Sequence, residues 1–186
     1  VKDGDPGLLP HTETSVINPP PALRPRCNLG LELLHGEHAI YDAVVLRPTI
    51  VYGNSSSHYG ALFDIASKSD TVLQLNAFPN AIMHSLHVDD CGDAYVALAE
   101  HPNRAEVAQQ AFNISNAKYE TAQQVGEALA RSYGLELTFV APAGDGEMGG
   151  IQSLVDFSQW VGSDHLRAVT GWRERRVPFV EGIDEY

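Results

Sequence analysis

Hydrophobic and polar positions along the chain follow two different periods, and together they predict strands separated by helices. Continuous apolar and β-branched runs such as "AVVLR" (43–47) are typical of strands covered on both faces. Helical spacing is clearest at 122–134, where Val125, Leu129 and Tyr133 fall on one face. The alternation predicts an α/β protein whose strands are at least partly parallel.

Capping and turn residues set the boundaries of these predicted elements. Thr121 is a predicted N-cap for the helix at 122–134, and Gly134 is predicted to end that helix. Asp89 or Asp90 is predicted to cap the helix after strand 85–88. The predicted strands are 43–47, 71–75, 85–88, 111–115 and 136–140, and the predicted helices are 29–36, 61–69, 91–101, 122–134 and 151–161.

The first part of the chain differs in composition from the rest. Residues 1–22 are rich in proline, glycine and polar residues, which predicts an irregular lead-in. Residues 23–186 carry the strand and helix patterns and are predicted to form one α/β unit.

Charge and composition narrow the classes of function. The 186 residues include 12 basic and 24 acidic side chains, giving a formal net charge of −12. Such acidity disfavours nucleic acid and anionic lipid as partners. No apolar stretch approaches the roughly 18 residues of a membrane span, and no signal-peptide pattern is present. Two cysteines, Cys27 and Cys91, make no disulfide framework, so we predict a cytoplasmic protein.

One glycine-rich motif suggests cofactor chemistry but fits it poorly. The sequence "GDGEMG" (144–149) matches the dinucleotide-binding glycine pattern after a predicted strand. Asp145 and Glu147 would place carboxylates where backbone amides should meet a pyrophosphate. Only 37 residues follow Gly149, too few for the further strands of a nucleotide-binding half. A loop is therefore favoured over a cofactor turn.

The sequence also disfavours a metal site and a serine hydrolase site. In "HSLHVDD" (84–90), His84 and His87 are three residues apart, so on a strand they point to opposite faces. A structural histidine with a helix-capping aspartate is favoured over a metal site. There is also no Gly-x-Ser-x-Gly turn for a serine nucleophile.

Three stretches in fixed order carry a more specific signal. "VVLRPTIVYG" (44–53), "HSLHVDDCGDAYVALAE" (84–100) and "AFNIS" (111–115) together resemble the carboxy-terminal half of an extended short-chain dehydrogenase/reductase. This group is the NAD-dependent epimerase/dehydratase family. The ending at 162–186 is similar to that family's final helices, so the resemblance covers roughly residues 20–186.

The resemblance implies a partial Rossmann-like sheet with a carboxy-terminal substrate-binding lobe and no amino-terminal dinucleotide-binding half. It also implies NAD or NADP as the cofactor, bound outside the carboxyl ends of the strands. On the residues alone, Arg47-Pro48 fits the simple end of a strand equally well. The implied cofactor-binding residues are Pro48, Thr49 and Val51, and the implied substrate-binding residues are Tyr52, Tyr59 and His87, with Asp90 as a helix cap that fixes the pocket wall.

The chain departs from this family at the catalytic position. Family members use a tyrosine with a lysine four residues later, which lowers the pKa of the phenol. None of the seven tyrosines here has lysine at that spacing. The matching positions hold Leu23 and Cys27 or, with a one-residue shift, Ala22 and Arg26. Arg24 or Arg26 could hold a ribose or phosphate but cannot donate a proton. We therefore assign no catalytic acid or base.

A further departure concerns the substrate. Family members that act on nucleotide sugars often carry an arginine where this chain has Met83. A smaller or less charged substrate is therefore favoured. The preferred hypothesis is an NAD(P)-dependent epimerase/dehydratase-like oxidoreductase for a small carbonyl or alcohol, truncated or catalytically impaired.

Two other hypotheses remain open from the residues. One is a non-catalytic NAD(P)-binding regulatory protein of the same fold, and the other is an interaction module that binds no dinucleotide. In each case a late-sheet fragment would leave a strand edge exposed, so homo-oligomerisation is predicted.

Overall fold

The computed structural model describes residues 1–19, 21–35, 42–54, 57–142 and 158–186. Strands alternate with helices through this part of the chain, as the hydrophobic pattern predicts. The strands are β1 (Val44–Pro48), β2 (Ile50–Tyr52), β3 (Val72–Leu75), β4 (Ile82–Met83), β5 (Ser85–His87), β6 (Gln110–Ile114), β7 (Glu120–Thr121) and β8 (Glu136–Phe139). The helices are α1 (Arg24–His35), α2 (Ser57–Lys68), α3 (Val88–Ala99), α4 (Ala122–Tyr133) and α5 (Asp164–Thr170).

Strand pairing among the described residues is mainly parallel. β1 pairs with β6, β2 with β5 and β3 with β8, all in parallel, and β4 pairs with β7 in antiparallel orientation. The expected α/β architecture with partly parallel pairing is therefore confirmed. Each parallel pair joins strands far apart in sequence, with helices in the connection, as parallel strands require.

Two hydrophobic clusters lie beside these strands. One packs α2 and α4 against β3 and includes Leu62, Leu73 and Leu129. The other packs α3 and α5 against β5 and β6 and includes Leu98, Phe112 and Leu166. These four helices therefore bury an apolar face against a strand, which is the main source of stability in a layered fold.

The best-defined helix is α4, and its ends match the predicted caps. The Thr121 side chain accepts a hydrogen bond from the Gln124 amide, and the Gln124 side chain accepts one from the Thr121 amide. Gly134 ends the helix in the left-handed conformation, with φ of 67°. These contacts satisfy amide and carbonyl groups that a helix leaves unpaired at its ends.

Other expected elements differ from the structure. The run "AVVLR" was predicted to be covered on both faces, yet every residue of β1 is partly exposed. α1 begins at Arg24, five residues earlier than predicted, and none of its residues is buried. The two- and three-residue strands β2, β4 and β7 were missed because so short a run carries no periodic signal.

Two predicted segments fall outside the described residues in whole or in part. The glycine motif at 144–149 lies outside them entirely, as does most of the predicted helix at 151–161. Within residues 1–19 there is no helix, and single bridges join Lys2 to Ala81 and His11 to Val161. In the described part of the chain, no helix is long and apolar enough to cross a membrane.

Candidate functional site

The carboxyl ends of β1 and β6 lie side by side, and Thr49 joins them. Pro48 is in register with Ile114. The Thr49 amide donates to the Ile114 carbonyl at 2.9 Å, and the Thr49 hydroxyl is 3.3 Å from the same oxygen. Thr49 is 7% exposed, so these bonds hold it firmly in the turn between β1 and β2. Ligands of open α/β sheets bind outside such carboxyl ends.

β2 and β5 bring together the two segments that carry the family resemblance. Val51 pairs with Leu86, and Tyr52 pairs with His87 at the ends of the two strands. Val51 is partly exposed, whereas Leu86 is fully buried. Segments 44–53 and 84–100 are therefore neighbours.

Tyr52, Tyr59 and His87 form a buried aromatic cluster. The Tyr52 ring lies 5.5 Å from the rings of both Tyr59 and His87. Phe179 and Tyr186 cover the cluster, with the Phe179 ring 4.4 Å from Tyr59 and the Tyr186 ring 5.1 Å from Tyr52. The three residues expected in the substrate pocket do lie together.

Burial limits what this cluster can do. Tyr52 and Tyr59 are each 1% exposed and His87 is 4% exposed. Direct contact with a substrate would therefore require the segment around Phe179 and Tyr186 to move. Desolvation also raises the pKa of both phenols well above the usual value. Neither phenol therefore ionises readily near neutral pH.

Tyr52 also ties the cluster to the carboxy-terminal segment through its hydroxyl. The hydroxyl donates to the Val177 carbonyl at 2.8 Å. A phenol used in this way is a structural donor, and its ring supplies packing area. The cluster therefore packs beside the end of β2 and is joined to the carboxy-terminal segment.

His87 has a second role, which corrects a prediction from the sequence. Asp89 or Asp90 was expected to cap α3, but the His87 imidazole accepts from the Asp89 amide at 3.1 Å and is the N-cap. Asp90, in the first turn of α3, is 2% exposed. Its carboxylate accepts from the amides of Arg175 and Arg176 at 2.9 and 3.0 Å. Asp90 thus fixes the carboxy-terminal segment and does not cap the helix.

His84 joins three segments of the chain. One ring nitrogen accepts from the Val161 amide at 3.1 Å, and the other lies 3.0 Å from the Asn116 carbonyl. Burial lowers the pKa of His84 to about 4, which keeps the ring neutral. A neutral imidazole between an amide and a carbonyl is a structural crosslink. Among the described residues, no group of three or more histidine, cysteine or acidic side chains is arranged to hold a metal ion.

Glu120 is a buried carboxyl that sequence reasoning missed. It is 8% exposed, and its carboxylate accepts from the Val180 amide at 2.7 Å. Burial raises the pKa of Glu120 to about 7, against the opposing effect of the Val180 and Phe179 amides. Its sequence neighbours gave no sign of burial, because β7 has only two residues.

Leu23 and Cys27 occupy the positions that the resemblance matches to a tyrosine and a lysine. Leu23 ends a short 3₁₀ turn, and Cys27 lies in the first turns of α1. Both are partly exposed, and Arg24 and Arg26 beside them are exposed. Both arginines are therefore accessible to an anion from outside.

No protein-family model matches the sequence, and no curated protein matches it. Solved structures do match the fold. A dTDP-glucose 4,6-dehydratase from Bacillus anthracis in complex with NAD superposes with a TM-score of 0.75 at 15% identity, over 97% of this chain and 55% of that chain. The DesIV dTDP-glucose 4,6-dehydratase of Streptomyces venezuelae, with NAD bound, gives 0.75 at 17% identity, over 99% and 54%. RMD from Pseudomonas aeruginosa, complexed with NADPH, gives 0.65 at 20% identity, over 91% and 56%.

The chain has the fold of the carboxy-terminal part of an extended short-chain dehydrogenase/reductase. It spans about half the length of the structures it matches, as the 54–56% coverage of those chains shows. The fold class expected from the sequence, a partial Rossmann-like sheet with the carboxy-terminal lobe, is confirmed. At identities of 15–20%, the likeness concerns the fold alone.

Proposed function

We propose that this chain is the substrate-side part of an NAD(P)-dependent oxidoreductase of the epimerase/dehydratase type. The single observation that carries the proposal is the meeting of the β1 and β6 carboxyl ends at Thr49, in a fold whose matched structures hold NAD or NADPH. Pro48, Thr49 and Val51 are the proposed cofactor contacts. When bound, the cofactor supplies a hydride acceptor or donor.

Each of these three residues has a definite part in the proposal. Pro48 leaves no amide to be desolvated next to an apolar ring. Thr49 is locked to Ile114 and fixes the path of the chain, and Val51 offers a partly exposed apolar side chain. Small apolar groups of this kind can line a ring face without displacing it.

The proposed substrate is a small carbonyl or alcohol. The matched dehydratases are named for a nucleotide-linked sugar, whereas Met83 stands where a cation for a diphosphate is expected. Met83 is 1% exposed and pairs with Glu120, so no charged side chain emerges from this position. Tyr52, Tyr59 and His87 are proposed to form the wall behind the substrate pocket.

The alternative is a non-catalytic NAD(P)-binding protein. It is favoured by the pair Leu23 and Cys27 in place of an acid/base pair, and by the buried, neutral state of Tyr52 and Tyr59. Removing general acid–base catalysis costs roughly 10²–10⁴-fold in rate, so residual turnover would be slow.

Titration with NADH and NADPH, followed by reduced-nicotinamide fluorescence, tests the proposal on the protein at its natural length. Saturable binding of either cofactor is expected. Val51→Phe should weaken it at least 10-fold by filling the ring site, about 1.4 kcal/mol. Val96→Phe is the matched control, because Val96 is 52% exposed on α3.

The outcome also separates the hypotheses. Binding with turnover of a carbonyl or alcohol supports the oxidoreductase, and binding without turnover supports the regulatory alternative. Absence of binding, or equal loss in both phenylalanine variants, would reject the cofactor site at Val51.

A further inference from the structure

Residues 177–186, which we call the flap, cover the buried aromatic cluster. The Phe179 ring lies 4.4 Å from the ring of Tyr59, and the Tyr186 ring lies 5.1 Å from the ring of Tyr52. Phe179 is fully buried. The flap thus separates from solvent the side chains that are proposed to form the wall behind the substrate pocket.

Side chains, and not a backbone ladder, hold the flap in place. It contains no helix or strand, and its own backbone hydrogen bonds close short turns. In the described part of the chain, no backbone–backbone hydrogen bond joins it to another element. The Tyr52 hydroxyl donates to the Val177 carbonyl at 2.8 Å, and the Glu120 carboxylate accepts from the Val180 amide at 2.7 Å. A segment without ladder hydrogen bonds opens at a lower free energy than a paired strand or a packed helix.

The flap is folded on itself, so it can move as one unit. A Cβ atom added to Gly182 would lie 2.5 Å from Tyr186 Cε2 and 2.8 Å from Val177 Cγ2. The Tyr186 hydroxyl also donates to the Val177 carbonyl at 3.0 Å. These contacts join the two ends of the flap to each other.

The residues just before the flap are fixed to α3. The Asp90 carboxylate accepts from the amides of Arg175 and Arg176, and the Trp172 indole donates to the Asp90 carbonyl at 3.1 Å. Asp90 and Trp172 are 2% and 6% exposed. The backbone between Arg176 and Val177 is therefore the point about which the flap can turn.

Glu120 is a polar group that the flap shields from water. Among the described residues, no basic side chain forms an ion pair with it. The titratable groups that face it are Tyr52 of β2, Tyr59 of α2 and Glu181 of the flap, and none of them is a cation. Two flap amides, including that of Val180, favour its charged form. An ionised Glu120 is nevertheless better solvated by water than by this apolar surrounding.

We propose that residues 177–186 open as a flap over the aromatic cluster, and that ionisation of Glu120 favours the open state. The inference rests on the proposed function only for the molecule that the open flap admits, the small carbonyl or alcohol substrate. The opening itself follows from the contacts of the flap with β2, β7 and α2.

The sign of the pH effect follows from the burial of Glu120. In the closed state, burial raises the pKa of Glu120 from 4.5 to about 7. Opening hydrates the carboxyl group and returns its pKa towards 4.5. The closed state is therefore favoured below pH 4.5 and loses this advantage as the pH rises through 7.

Hydrogen exchange resolved to single amides tests the proposal, with each rate corrected for the intrinsic effect of pH. The Val180 amide should be less protected than the Leu129 amide in α4, because the flap opens without global unfolding. Protection of Val180 should fall roughly 50-fold between pH 5 and pH 8, since each pKa unit corresponds to a tenfold change. Equal protection of the two amides, or protection of Val180 that does not vary with pH, overturns the proposal.

Two glutamine variants test the part assigned to Glu120. Glu120→Gln removes the ionisable group and should make the protection of the Val180 amide independent of pH. Glu136→Gln makes the same chemical change at an exposed position in β8 and should keep the native profile. A Glu120→Gln profile that follows the native one would overturn the proposal.

A pair of leucine variants separates opening of the flap from a general loss of packing. Phe179→Leu weakens the contact with Tyr59 and should speed exchange of the Val180 amide roughly 5-fold at every pH. Phe112→Leu makes the same change in the other hydrophobic cluster, so it should speed exchange of Leu129 and leave Val180 unchanged. Equal effects of the two variants on Val180 would show that the flap opens only when the whole protein unfolds, and the proposal would fail. These readouts do not involve NADH or substrate, so failure of cofactor binding leaves them unchanged.

Discussion

The helices α1 and α4 have twelve residues each but are buried very differently. Six residues of α4 are buried, including Val125 and Leu129, whereas none of α1 is buried. α4 combines an apolar stripe with caps at both ends and packs against β3 and β8. α1 also carries four leucines, but it packs on β1, whose residues are all partly exposed. Helix-forming sequence alone therefore does not bury a helix; a complete neighbouring layer does.

The largest expected difference between the two regions comes from leucine truncation. Leu129→Ala in α4 removes a side chain that is 0% exposed and should cost about 2–5 kcal/mol of unfolding free energy. Leu29→Ala in α1 removes one that is 56% exposed and should cost at most about 0.5 kcal/mol. Urea unfolding of both variants measures this. Similar losses in the two would mean that α1 is as well packed as α4.

The next prediction concerns the buried carboxyl group of Glu120, which lies in β7 just before α4. Because burial raises the pKa of Glu120 from 4.5 to about 7, the protonated form is favoured in the fold. The resulting stabilisation is fully present below pH 4.5 and is lost as the pH rises through 7. The expected loss is on the order of 3 kcal/mol, at 1.36 kcal/mol for each pKa unit.

His84 acts in the opposite direction over much of the same range. Burial lowers the pKa of His84 from 6.5 to about 4, so its stabilisation is present above pH 6.5 and is lost as the pH falls through 4. In the native protein the two slopes oppose each other between pH 4.5 and 6.5. Glu120→Gln should remove one of them and leave a stability that rises steadily with pH.

Urea unfolding at a series of pH values checks this pair of slopes. The matched control is Glu136→Gln, which makes the same chemical change at an exposed position in β8. That control should keep the native pH profile. A Glu120→Gln profile that coincides with the native one would show that Glu120 ionises normally.

The smallest expected effects are those of an alanine substitution at one glycine in α4 and at one glycine in α1. A Cβ at Gly126 in α4 would lie 2.9 Å from Leu75 Cδ1 and 3.0 Å from Leu137 Cδ1, so Gly126→Ala overpacks the core by about 1 kcal/mol or more. At Gly30 in α1 the nearest atom is 3.6 Å away, so Gly30→Ala should stabilise by about 0.5–1 kcal/mol through helix propensity. Thermal unfolding shows whether each variant has a higher or a lower Tm. A shift in the same direction for both variants would show that the two helices do not differ in packing at these glycines.

Local signals made some of the structure predictable from the sequence. Thr121 and Gly134 lie at the ends of the helix that they cap, so they were sufficient to predict α4 with its boundaries. The runs at β1, β3, β6 and β8 were also placed correctly. Order and spacing along three stretches were sufficient to predict the fold class.

Contacts between distant segments decided the rest. Tyr52 and Tyr59, which are predicted to line a substrate pocket, pack against Phe179, which follows Tyr59 by 120 residues in the sequence. Asp90 was predicted to cap a helix, but its partners are the amides of Arg175 and Arg176. These partners are distant in the sequence, so the residues around Tyr52, Tyr59 and Asp90 do not indicate them.

The sequence by itself therefore determined the longer strands, the capped helix α4 and the fold class that they form. Capping bonds and apolar periodicity act over a few residues, and a single sequence displays them directly. The tertiary structure decided which polar and aromatic groups are buried, and so the altered proton affinities of Glu120 and His84. Desolvation depends on atoms brought in from elsewhere in the chain, and only the folded arrangement supplies them.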